Sequence, residues 1–181
     1  KEFLNNITFG LFFKETVHVT ADGTDAASGV AKVEYQKVAK DAKYDENGSW
    51  TEFKAFDINA IDKSVIYARV TDVAGNQIII NSKGIVVYKD AAKNGSIDYT
   101  KTIKADVTSD IKLNGNTVKD IKNGDTVLIE GQDYAIKDGK IVIKGSYLDS
   151  LPVGDHSLTV SYNPAGETFK EGTDASTSTL T

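Results

Sequence analysis

Two histidines, a single tryptophan and a scatter of carboxylates are the residues of this chain whose chemistry could serve a function. A serine or metal hydrolase needs a histidine beside a nucleophile, or several ligands around one ion. His18 lies mid-strand in TVHVT, where alternation turns it away from the side of Val17 and Val19 and so toward solvent. His156 sits far along the chain in a second segment, so the two do not converge. Paired carboxylates could hydrolyse a glycoside, but the Asp and Glu residues fall in turns or on polar faces and no pair stands out. No catalytic residue is assigned, and the chain is expected not to be an enzyme. Asp22, Asp25 and Asp72 lie in loops and are weak candidates for calcium, which takes carboxylate and carbonyl oxygens. Their spacing is not that of a helix-flanked calcium loop, and turn aspartates usually bond their own backbone. The expectation is therefore no metal and no cofactor. Carbohydrate binding stacks sugar C–H faces on exposed rings. Trp50, with Tyr44 six residues before it in KYDENGSWTEF, is the candidate pair. The alternative is that Trp50 begins a strand and packs inward, as large aromatics mostly do.

The elements that must position these residues are strands. Acidic and basic residues are mixed along the 181 residues and the net charge is only −5, so nothing points to nucleic acid. The longest apolar runs, such as QIIINSKGIVVY, are far too short to span a bilayer, and no membrane insertion is expected. Cysteine is absent, which removes disulfides, thiolate metal sites and a cysteine nucleophile. Methionine is absent even at position 1, so the chain reads as an excerpt of something longer.

Strand-like runs recur at intervals of about ten residues, separated by Gly, Asn, Asp and Ser. In the first half they are 15–21, 30–38, 64–72 and 77–88, with DVAGN at 72–76 turning between the last two. FLNNITFGLFFK is read as a first strand kinked at Gly10, with Phe9, Leu11 and Phe13 on one face. The small and polar stretch 89–102 is the linker candidate, dividing the chain at 1–90 and 91–181. Each part has the size of an immunoglobulin-like sandwich. In the second, Asp138-Gly139 predicts a two-residue hairpin pairing Ile136 with Ile141, Tyr134 with Ile143 and Asp133 with Lys144. LNGNT and KNGDT offer two further Asn-Gly turns, and the closing strand is expected from Ser176 to Leu180. GSYLDSLPVGDHSLTV alone reads as a helical turn, with Ser146 as its cap, Asp149 favouring its N-terminus and Pro152 ending it. Leu148 and Leu151 point one way, toward a core, which makes the turn a corner of the scaffold; His156 there should bond a nearby backbone group. The fold class is all-β: two tandem immunoglobulin-like β-sandwiches, the second with a short helical turn between two strands.

Residues 100–181, through LNGNTV, IKNG, GQDY and KIVIKGSYLDSLPVG, resemble the X-two immunoglobulin-like modules of bacterial cellulases and cellulosomal scaffolds. The first half, through DAASGV at 25–30, Trp50 and RVTDVAGN at 69–76, resembles the bacterial immunoglobulin-like repeats of secreted and wall-anchored proteins of Gram-positive bacteria. These resemblances imply a multimodular parent that is extracellular or cell-wall associated. The function they imply is a non-catalytic spacer or presentation segment, with neighbouring modules of the same polypeptide as partners. The alternative is a carbohydrate-binding module whose partner is a polysaccharide or a host glycan. A Lys–Asn isopeptide cross-link is compatible with the sequence and would show as the loss of one ammonia in mass.

Overall fold

The strand Asp62–Asp72 organises the first half of the molecule in this computed structural model, which describes residues 4–5, 12–21, 23–24, 29–168 and 176–181. The chain divides into two compact units, Lys1–Tyr88 and Lys89–Thr181. In the first unit, Asp62–Asp72 pairs along one edge with Val30–Ala39, setting Val33 opposite Val70 and Tyr35 opposite Ala68. Its β-branched run suits an extended, half-buried surface. Along the other edge it pairs with Gln77–Asn81 and then Ile85–Tyr88. The run read as one strand over 77–88 is thus two. Between them Ser82 takes the ladder's place, its hydroxyl accepting the Ile66 amide at 2.9 Å while its own amide donates to the Ile66 carbonyl at 2.8 Å.

Phe12–Lys14 adds in parallel beside Ile85–Tyr88, and Thr51–Glu52 pairs with Val30–Ala39. Thr16–Val19 and Phe56–Asn59 form a two-stranded sheet with Val17 opposite Ile58. Its Val17, Val19 and Ile58 meet Ile66, Ile85 and Val87 of the larger sheet in one core, with Phe13, Tyr35 and Phe56 at its margin. Leu4–Asn5 pairs with Gly23–Thr24. Of the predicted first strand, Phe9, Gly10 and Leu11 lie outside the described residues.

The second unit packs a five-stranded sheet against a three-stranded one. The first runs Asn94–Gly95, Thr177–Leu180, Leu158–Asn163, Thr117–Asn123 and Thr126–Val127 in spatial order; the second runs Val107–Thr108, Lys140–Ile143 and Tyr134–Lys137. Ile121, Val160, Tyr162 and Leu180 from one meet Tyr134, Ile141 and Ile143 from the other, all buried. The hairpin register is the predicted one, Tyr134 opposite Ile143 and Ile136 opposite Ile141, and Lys144 donates its amide to the Asp133 carbonyl. Asp138 and Gly139 carry positive φ of 50° and 68°, the twist a two-residue turn requires. Thr177–Leu180 closes the unit against Leu158–Ser161.

Two expectations are corrected here. The stretch 89–102 is not a free linker. Ala91 is buried in the second core, Asn94–Gly95 pairs in parallel with Thr179–Leu180, and the Asn116 amide donates to the Lys89 carbonyl at 2.7 Å. The helix Gly145–Ser150 is present, but Ser146 does not cap it: Lys144 holds the cap position without a side-chain bond. The first amide, that of the buried Gly145, instead donates at 3.1 Å to Oδ1 of Asp106, the residue just before the strand Val107–Thr108. With the helix starting two residues early, Asp149 falls in its last turn and accepts the Tyr99 hydroxyl at 3.3 Å. Leu151 is extended, as a residue before proline should be.

Candidate functional site

Alternation along Asp62–Asp72 turns Ile66, Ala68 and Val70 into the core and leaves Tyr67 and Arg69 on the opposite sheet face. Gln36 lies opposite Tyr67 in register on that same face. Its side-chain amide donates to the Asp45 carbonyl at 2.8 Å, and its oxygen accepts the Asp45 amide at 2.9 Å. This pair of hydrogen bonds folds the loop 40–50 back over the sheet. Asn47 then donates its amide to the Asp45 carboxylate at 2.9 Å, tightening the loop tip.

The fold-back sets three rings in a row. Tyr44 lies 4.9 Å from Tyr67 and 5.7 Å from Trp50, centre to centre, each pair inclined by 57°. All three are half-buried. The sequence candidates Trp50 and Tyr44 are therefore brought together, tilted rather than coplanar. Trp50 is outside the unit's core, and its ring nitrogen is buried without a hydrogen-bond partner.

One face of Trp50 is already occupied: the Arg69 guanidinium lies 4.4 Å from its ring centre. Arg69 in turn donates through Nε and Nη2 to Glu34 Oε2, at 3.1 and 2.8 Å, and Lys32 reaches Glu34 Oε1 at 2.7 Å. Glu34 is only 6 % exposed. The Lys32 hydrogen bond holds its carboxyl below the usual carboxylate range; burial opposes this and Arg69 reinforces it. Beside the strip, Lys40, Asp41, Lys43, Tyr67 and Asn81 line an open hollow of about 330 Å³. Rings flanked by amide and ammonium donors are what a pyranose needs, apolar surface for its C–H face and donors for its hydroxyls. Tyr67 and Arg69 were missed by sequence reasoning. The alternation of IYARV gives their facing, but only the folded loop shows what they face.

The remaining candidates are bonded locally. Asp72 is 2 % exposed and spends its carboxylate on Asn76, taking the backbone amide at 2.8 Å and the side-chain amide at 2.7 Å. Asp22 and Asp25 lie outside the described residues. Among the described residues no cluster of three or more His, Cys, Asp or Glu side chains gathers as a metal site. His18 is exposed and pairs with Asp57 at 2.6 Å. His156 bonds the Pro152 carbonyl through Nε2 at 2.8 Å, the corner contact expected of it.

The second unit's two-sheet core, its Asp138-Gly139 hairpin and its corner helix can be set beside known proteins. Residues 92–172 match the family model of the carbohydrate binding domain X2. The X2 match covers most of the second unit and none of the first. Among curated proteins, the cellulose-binding protein A of Clostridium cellulovorans is 38% identical over 68 residues, 38% of this chain and 4% of that protein. A xyloglucanase of a Paenibacillus species is 29% identical over 126 residues, 56% of this chain and 12% of that protein. The latter likeness spans more residues than either unit holds, so both contribute to it. The chain thus spans a small part of the length of these relatives. A tri-modular endo-β-1,4-glucanase structure from Bacillus licheniformis aligns over 94% of this chain and 36% of its own, at 17% identity and a TM-score of 0.42.

Proposed function

We propose that this chain is a non-catalytic accessory segment of an extracellular, multimodular protein that acts on plant-type polysaccharide, and that it holds the parent against that polysaccharide. The observation that carries this reading is the match of 92–172 to a carbohydrate binding domain, reinforced by relatives named for cellulose binding and xyloglucan cleavage. In the first unit, which we assign to the bacterial immunoglobulin-like repeats, the contact surface is the strip Trp50, Tyr44 and Tyr67. A non-catalytic role accords with the two histidines, each engaged with a local neighbour rather than a nucleophile.

The test is affinity gel electrophoresis of the chain in hydroxyethylcellulose, xyloglucan, xylan and pectin. Retardation in at least one gel, reduced by Trp50→Ala and by Tyr67→Ala, supports the reading. A second reading, that the segment is a spacer presenting its neighbours, is favoured by one observation. Residues at the start of the second unit are bonded into that unit: Asn116 donates to the Lys89 carbonyl and Asn94–Gly95 pairs with Thr179–Leu180. Unretarded migration in every gel would leave the spacer as the function.

A further inference from the structure

The second unit carries a groove that the carbohydrate reading does not use. Residues 97–102 run beside the corner helix as a strap: Tyr99 donates its hydroxyl to the Gly145 carbonyl at 3.1 Å, and Lys101 donates to the Asp149 carbonyl at 2.9 Å. Between strap and corner lies a cavity of about 460 Å³, within the range of about 300–1,000 Å³ typical of ligand sites. Its floor is aliphatic, made of Leu148, Leu151, Leu158 and Leu180. Leu148, Leu158 and Leu180 are buried members of the core, so the floor is the core's outer wall. Val153 stands at the edge with 90 % of its surface exposed.

The rim is acidic. Asp98 and Asp155 both line the groove and are exposed, and neither makes an ion pair with a described residue. Of the basic groups there, Lys101 donates to the Asp149 carbonyl and keeps its charge, and His156 bonds the Pro152 carbonyl, so the two exposed carboxylates outnumber the one lysine. An aliphatic floor under unpaired carboxylates complements a chain that alternates aliphatic and basic side chains. A sugar fits less well, because Tyr99 is the one aromatic residue among the lining side chains and its hydroxyl is already spent. We propose that this groove is a docking site for a short peptide segment that seats a leucine-like side chain on Leu148 and Leu151 and sets flanking lysines or arginines against Asp98 and Asp155.

The experiment is an amide-resolved NMR titration of the whole chain with the peptide acetyl-Lys-Leu-Lys-Leu-Lys-amide. The expected result is saturable shifts confined to 97–102 and 148–156, weakening as salt rises past about 0.15 M. The analogue with Glu for every Lys should bind roughly tenfold more weakly, and the double variant Asp98→Lys/Asp155→Lys should reverse that order. Both positions are exposed, so the fold survives the exchange. Val153→Ser, also at an exposed site, should weaken both peptides. Absence of shifts at millimolar peptide, equal response to the two peptides, or displacement of the same amides by cellohexaose instead would each overturn the proposal.

Discussion

The Arg69 guanidinium lies over Trp50, 4.4 Å from its ring centre, while both its donating nitrogens, Nε and Nη2, serve the buried Glu34 carboxylate. One cation thus ties a ring of the strip to the sheet beneath it. Replacing it with methionine keeps an apolar stem under the ring but leaves Glu34 with Lys32 as its remaining ionic partner. Arg69→Met should lose about 2 kcal/mol of first-unit stability, the order of cost for uncovering a buried charge. Trp50 is the only tryptophan, so urea unfolding followed by its fluorescence reports on this unit alone. An unchanged midpoint would show that the guanidinium does not anchor the ring.

Glu34 also sets a pH dependence. Its folded carboxyl titrates below the ordinary glutamate value of about 4.3. Its contribution is therefore complete above that pH and is lost as the pH falls through the lower folded value. The tryptophan-monitored midpoint should be flat from neutrality to about pH 5 and then drop. Glu34→Gln should lower the neutral plateau and flatten the acid limb. Asp106 gives the second unit the same sign, held down first by the Lys144 hydrogen bond and then by the Gly145 amide.

Glycine at 145 is required by space rather than by backbone angle. A Cβ there would stand 2.7 Å from the carbonyl oxygens of Ala105 and Lys104. Gly→Ala inside a helix ordinarily gains up to about 1 kcal/mol. Gly145→Ala should reverse that sign, losing about 2 kcal/mol or more because the obstructing atoms are backbone. Gly139→Ala meets nothing within 4 Å but carries a φ of 68°, and should cost only about 1 kcal/mol. Calorimetry of the whole chain, following the second unit's transition, ranks the two.

What the sequence made legible was what local chemistry decides. The Asp138-Gly139 turn fixes its own register, so Tyr134 and Ile143 could be paired by inspection. Leu148 and Leu151 announced a corner because Pro152 limits the helix from the next position. The helix start was misread because Asp106, thirty-nine positions away, supplies the partner that a local Ser146 cap was expected to be. The stretch 89–102 was misread for a related reason. A short parallel edge strand needs no alternation, only backbone to share with Thr179 and Leu180. Trp50 and Tyr44 were legible as a pair by type, whereas Tyr67 and Arg69 joined them through a loop whose path depends on Gln36.

The excision boundary follows from the same edge strand. A fragment 89–181 should fold, whereas 103–181 loses Ala91, the Asn94–Gly95 pairing and the Tyr99 and Lys101 contacts with the helix. Dispersed amide spectra for the longer fragment and collapsed ones for the shorter are expected. Equal dispersion would demote the segment to a tether.

Gln36 grips Asp45 by both its carbonyl and its amide, through backbone atoms that any residue at 45 other than proline would offer. Attachment of the loop is thereby uncoupled from the identity of its tip. Substitutions at 46, 47 and 49 can vary the tip without unfastening it, whereas a Cβ at Gly48 would stand 3.0 Å from that of Asp45; the proposed contact surface can thereby be retuned on a constant chassis.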